Sequence, residues 1–245
     1  MDHSRSARIP LQACVEELRR RCQAASRFQG GHTHFLEELR IFREYAAEQG
    51  WAQLPPPPEL TLAPSDQGNE HQVWFRESSR TFLKATWPGF FGLKVVHRPD
   101  EDPCASPIDY LERWHWHNLL FADQLRFLGV HETTAGLRLL VEQPAVAGTP
   151  AAHEHQIRDF FVGNGWQPFH ADGELAYLDP VNGLAISDAH RGNLILMPDG
   201  LLAPIDLRVQ RLTDSLLETV KSLAKPPNIV PNSPAEPPSR REKPR

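Results

Sequence analysis

Two apolar runs, Leu194 to Met197 and Leu201 to Ile205, are joined by Pro198-Asp199-Gly200. That is strong turn chemistry, so the spacing predicts a tight hairpin over 194–205. A closed hairpin constrains what lies at its ends, and it folds Asn193 and Asp206 toward each other. Asp188 lies five residues before Asn193, in the polar stretch Ser187-Asp188-Ala189-His190-Arg191-Gly192-Asn193 that follows the apolar Leu184 to Ile186. An Asn oxygen and a carboxylate converging on one point are hard ligands, the type that suits Mg²⁺ carrying a nucleotide. Asp188 then faces the same space as a base or an orienter of a hydroxyl. Singly, each is an ordinary turn residue, because Asp and Asn favour loops for backbone reasons alone. The strand before and the hairpin after make the combination chemical.

The rest of the chain sets the frame. Its 245 residues leave room for one domain or two small lobes, with enough chain to bury a core. Lys and Arg total 26 against 31 Asp and Glu, so no positive excess exists to neutralise nucleic-acid phosphates or an anionic bilayer. Three cysteines with no C-x-x-C pair signal neither a disulfide framework nor a cysteine zinc site. No run approaches 18 apolar residues and the first residues do not read as a leader, so the expectation is a cytoplasmic protein with no nucleic-acid and no membrane partner.

Along the chain, Pro10 to Ala25 and His34 to Gln49 read as amphipathic helices separated by Gly30-Gly31, with Gly50 ending the pair. Pro55 to Pro58 reads as a stiff polyproline spacer. Then His71 to Phe75 and Thr81 to Ala85 suggest a β-hairpin, and Pro107 opens a helix in which Ile108, Leu111, Trp114, Asn118 and Phe121 recur at helical spacing. Leu125 to Val130 and Leu137 to Val141 are two more strands, His153 to Val162 another helix and Leu212 to Leu223 a last one. Residues 225–245 are rich in Pro and charge, and are expected to be disordered. The alternate-residue pairs His32/His34, His115/His117 and His153/His155 read as ordinary histidines, not metal ligands.

The string Ser187-Asp188-Ala189-His190-Arg191-Gly192-Asn193-Leu194-Ile195-Leu196, followed by Ala203-Pro204-Ile205-Asp206, resembles the catalytic loop and metal-binding strand end of the protein-kinase-like superfamily. It is most similar to the kinase domain of polyvalent proteins of phages and conjugative elements, with free-standing bacterial relatives, over about Leu60 to Val209. The resemblance implies an α+β, minimal two-lobed kinase-like fold. Residues 1–54 are then a helical extension, 60–144 an N-lobe of sheet plus one helix, 145–224 a reduced C-lobe and 225–245 a tail.

It also implies ATP and Mg²⁺ as cofactors and transfer of the γ-phosphoryl group to a hydroxyl acceptor, protein or small molecule. By the same resemblance Lys84 in Phe82-Leu83-Lys84-Ala85 holds phosphates and Glu112, one turn after Asp109, is the helix acid that pairs with it. Glu142 and Gln143 fall at the adenine hinge, and His190 can touch a phosphate or brace the loop. Asn193 and Asp206 hold the metal, and Asp188 is catalytic.

Three departures qualify the picture. Gly68-Asn69-Glu70-His71-Gln72-Val73 carries a single glycine where a Gly-rich loop belongs, Ile186-Ser187-Asp188 replaces His-Arg-Asp, and Asp206-Leu207-Arg208 lacks the Phe and Gly that usually follow. Ordinary activation-loop switching is therefore not expected. A nucleotide-binding pseudokinase acting as an interaction module, or a partner-binding protein with a relic loop, remains open beside the enzyme.

Overall fold

A computed structural model describes residues 11–25, 31–51, 56–151 and 153–224. The expected disorder of 225–245 lies outside them. Helix α1 (Leu11–Ala25) buries Cys14, Val15, Leu18 and Cys22, and α2 (Gly31–Glu48) buries Ile41, Phe42, Tyr45 and Ala46. These sets recur at three- and four-residue steps, the stripe that lets two helices share a core. α2 starts at Gly31, ahead of the expected His34, and Gly50 closes it in the left-handed region at φ +73°.

After a 3-10 turn over Pro58–Thr61 comes an antiparallel sheet of β1 (Asp66–Gln67), β2 (His71–Arg76), β3 (Thr81–Thr86), β4 (Arg126–Thr133) and β5 (Gly136–Pro144), in the order β1-β2-β3-β5-β4. Helix α3 (Pro107–Phe121) intervenes between β3 and β4. Its start is written in the sequence, with Pro107 in the first turn and Ser106 and Asp109 satisfying each other's backbone N–H groups. Ile108, Leu111 and Trp114 join Val130, Leu137, Leu139 and Val141 of the sheet and the buried faces of α1 and α2 in one apolar cluster. α3 is thus held between the N-terminal helices and the sheet.

The second half begins with β6 (Thr149–Pro150) and α4 (Glu154–Gly163). Then follow β7 (Gln167–Ala171), β8 (Glu174–Asp179), β9 (Leu184–Ser187), β10 (Leu194–Leu196), β11 (Leu202–Pro204), β12 (Arg208–Arg211) and α5 (Asp214–Leu223). They form two antiparallel sheets, β11-β10-β6 and β12-β9-β8-β7. β7 and β8 are a hairpin that the strand reading passes over. Its turn is Asp172-Gly173 with φ of +50° and +84°, the left-handed pair that Asp-Gly supplies at low cost.

The fold class is α+β, as expected from the sequence. Among the described residues no helix is long and apolar enough to cross a membrane.

Candidate active site

Two pairings bring the polar residues together. β10 and β11 close the expected hairpin with Leu194 opposite Pro204, which sets Asn193 beside Ile205, whose N–H donates to the Asn193 carbonyl at 2.9 Å. β9 pairs with β12 so that Ser187 faces Arg208, and Asp188 therefore emerges next to the segment that carries Asp206. The Asn193 side chain fastens the two: its Nδ2 donates to the carbonyl of Asp188 at 3.0 Å and to that of Asp206 at 3.2 Å. Asp188 sits in the left-handed region at φ +61°, a conformation that Asp tolerates better than most residues. Its carboxylate has Oδ1 3.5 Å from His190 Nε2 and Oδ2 4.0 Å from Arg208 Nη2.

Lys84 reaches the same place from the first sheet. It lies on β3 between Val73 of β2 and Val141 of β5, buried, with Nζ 3.2 Å from Asp206 Oδ2 and 5.4 Å above the Trp114 ring. The other Asp206 oxygen accepts from Arg113 Nη2 at 3.1 Å. Arg113 also donates Nε to the Leu207 carbonyl and Nη1 to Glu70, and Arg208 donates to the second Glu70 oxygen at 2.9 Å. Burial alone would raise the Asp206 carboxyl, but Lys84, His71 and Arg113 outweigh it and hold it well below the usual carboxylate range. His71, whose Nε2 lies 2.8 Å from the Tyr110 hydroxyl, is driven by burial down to about 4 against the pull of Asp206.

Lys84, Asp188, Asn193 and Asp206 thus converge as expected, but Glu112 does not join them. Its Oε2 accepts from Arg19 of α1 at 2.6 Å, and Asp109 accepts from the same guanidinium at 2.7 Å. The reason is rotation: one residue turns a helical side chain by about 100°, and the face of α3 turned to the site carries Tyr110, Arg113, Trp114 and His117. A cation therefore stands where an acid was expected, and Lys84 takes its charge partner from Asp206.

The side chains of Glu142 and Gln143 are taken up by other protein groups. Both residues are buried; Glu142 holds Arg76 at 2.8 Å and also Arg126, while Gln143 Nε2 donates to Asp123 at 2.6 Å and to the carbonyl of Ile205. Gln143 so braces the residue just before Asp206. His190 is exposed and faces Asp188. The one-glycine stretch at 68–70 is a tight β1–β2 turn closed by Gly68 N–H on the His71 carbonyl at 2.9 Å, and its Glu70 points inward to the two arginines.

The family model of serine/threonine/tyrosine kinases found in polyvalent proteins matches residues 37–213, well over half of the chain. The chain belongs to this family. No curated protein and no solved structure matches it. The match begins inside α2, so the polyvalent-protein kinase region leaves α1 outside while α1 still packs on α3 and holds Glu112.

For a kinase of this kind the donor set decides whether a divalent cation fits. With Asn193 Nδ2 donating to two main-chain carbonyls, its side-chain oxygen is left as an acceptor, and Asp206 offers a fully ionised carboxylate. One amide oxygen and one carboxylate are hard ligands of the sort Mg²⁺ takes beside nucleotide phosphates, so the residues fit the group.

The residues the sequence reading missed are Arg113, Glu70, His71 and Arg208. An Arg in the apolar stripe Tyr110-Arg113-Trp114-His117 was the available signal, since a buried Arg requires a carboxylate to meet it. A cavity of about 640 Å³ elsewhere in the fold shares Arg113 and Arg208 with this network but is lined by none of Lys84, Asp188, Asn193 and Asp206.

Proposed function

We propose that this kinase-family chain is an ATP-dependent phosphotransferase that moves the γ-phosphoryl group to a hydroxyl. The observation that carries the reading is that three sheets bring Lys84 to Asp206 and Asn193 to the main chain of both Asp188 and Asp206. Lys84 meets the phosphates in the ground state, exchanging its Asp206 partner for phosphate oxygens. Asn193 and Asp206 hold Mg²⁺, which when bound neutralises phosphate charge and fixes its geometry. The main chain around Glu142 and Gln143, at the end of β5, is assigned to the adenine.

Asp188 orients the acceptor hydroxyl and receives its proton as the hydroxyl oxygen bonds to the γ-phosphorus. The bond from that phosphorus to the β,γ-bridging oxygen breaks, and ADP leaves with the electron pair. Activation-loop control is not part of the proposal: Leu207 and Arg208 run straight into β12, where Arg208 pairs with Ser187.

The second reading is a nucleotide-binding pseudokinase. It is favoured by one feature, that both Asp206 oxygens are already held by cations, Lys84 and Arg113. Incubation with γ-labelled ATP and Mg²⁺ separates the two. Label on the protein, on an added hydroxyl acceptor or in free phosphate supports the enzyme, whereas ATP binding without any transfer supports the pseudokinase.

A further inference from the structure

His190 heads the 3-10 turn Arg191–Asn193, with extended backbone. Its Nδ1 accepts the N–H of Gly192 at 3.0 Å, so in the neutral ring the lone pair is on Nδ1 and the proton on Nε2. That Nε2 is the atom 3.5 Å from Asp188 Oδ1. The separation is longer than a formed hydrogen bond, as acid–base pairs often are before substrate arrives. Gly192 makes room for the ring: a Cβ there would stand 2.9 Å from His190 Cε1 and 3.1 Å from Nδ1. Asp188 is fixed at its main chain too, since its carbonyl accepts from the His190 N–H and from Asn193 Nδ2, both at 3.0 Å. What stays free is rotation of the Asp188 carboxylate, and His190 on one oxygen and Arg208 on the other bracket it.

We propose that His190 is a positioning residue for Asp188: its Nε2–H holds Oδ1 and sets the angle at which the carboxylate meets the acceptor hydroxyl. This rests on the reading of Asp188 given above. His190 in this role neither ligates phosphate nor takes the proton itself. The loop is built for the contact, since the cap on Gly192 selects the tautomer and the missing Cβ admits the ring.

Two substitutions divide the two jobs of the ring. His190→Asn keeps an acceptor near the Nδ1 position, and with it the cap on Gly192, but has nothing at Nε2. His190→Gln carries an amide N–H out to the Nε2 position and gives up the cap. With Mg²⁺ and labelled ATP, measuring transfer to the protein or to water, His190→Asn should lose about ten- to a hundredfold in kcat with ATP affinity unchanged, the scale of a misplaced catalytic group. His190→Gln should recover most of the loss. An Asn variant as active as wild type would reduce His190 to a loop cap and overturn the proposal. A loss of ATP affinity in both variants at unchanged kcat would make it a phosphate ligand and do the same.

The tautomer is read without turnover. Nitrogen-15 NMR of the wild-type protein should show His190 protonated on Nε2 and bare on Nδ1, and Asp188→Ala should move the Nε2 signal and not the Nδ1 signal. A ring protonated on Nδ1, or an Nε2 indifferent to Asp188→Ala, refutes the positioning role. A wild-type chain that transfers no phosphate fails the functional reading instead, and the tautomer still decides whether His190 addresses Asp188.

Discussion

Lys84 Nζ lies 3.2 Å from Asp206 Oδ2, and this pair ties the first sheet to the residue that follows the β10–β11 hairpin. On the proposed function its charge meets phosphates before the transition state as well as in it. Lys84→Ala should therefore lower both ATP affinity, measured by calorimetry, and turnover, measured with labelled ATP. A variant that loses rate alone would place Lys84 away from the ground-state phosphates.

Glu112 gives the opposite expectation. Its partner is Arg19, a half-exposed guanidinium, and such pairs contribute at most about 1 kcal/mol. Glu112→Gln should leave ATP affinity unchanged and reduce stability by no more than that. Urea unfolding of Glu112→Gln, Arg19→Ala and the double variant should show non-additive losses, since the two substitutions break the same contact. A large drop in ATP affinity for Glu112→Gln would return Glu112 to the nucleotide site.

Glu70 ties the β1–β2 turn to α3 and β12 through Arg113 and Arg208. Burial opposes its ionisation, but Arg113, His71 and Arg208 prevail and bring the carboxyl from its ordinary 4.5 down to about 2. A folded value below the unfolded one means that the unfolded chain binds more protons in between. The stabilisation is thus complete above about pH 4.5 and lost as the pH falls toward 2. Glu70→Gln should destabilise by about 3 kcal/mol at neutral pH, because it leaves the buried Arg113 with Asp206 alone and takes the nearest carboxylate from the half-buried Arg208. It should also flatten the dependence of unfolding free energy on pH between about 4.5 and 2. An unchanged slope in that window would show that other carboxylates carry the acid sensitivity.

The parts of the site legible in the sequence are those set by local chemistry. Pro198-Asp199-Gly200 forces the hairpin, and the hairpin alone brings Asn193 to Asp206; the strand that carries Lys84 is legible from its residues, but Lys84 itself is singled out by the kinase resemblance, since a lone strand Lys is ordinarily solvated. What was not legible depends on angles and partners distant in the chain. Glu112 and Arg113 differ by one position, and only the packing of α3 between α1 and the sheet decides which one turns inward. Glu70 finds Arg208 across 138 residues, a separation that no local pattern encodes. The β7–β8 hairpin was missed for another reason, since its strands contain Pro168, His170 and Glu174 and alternate weakly, although Asp172-Gly173 marks the turn.

The central claim is that Asp188 works on the acceptor hydroxyl in the transition state, beside Asn193 and Asp206 and without being a metal ligand. Its most direct test is kcat for phosphoryl transfer from labelled Mg-ATP by Asp188→Asn, measured together with the ATP dissociation constant of the same variant. The expected result is a loss of roughly a hundredfold or more in kcat with ATP affinity unchanged. Equal turnover in the variant and the wild type, or a wild type that binds ATP and transfers nothing to itself, to added hydroxyls or to water, would contradict it.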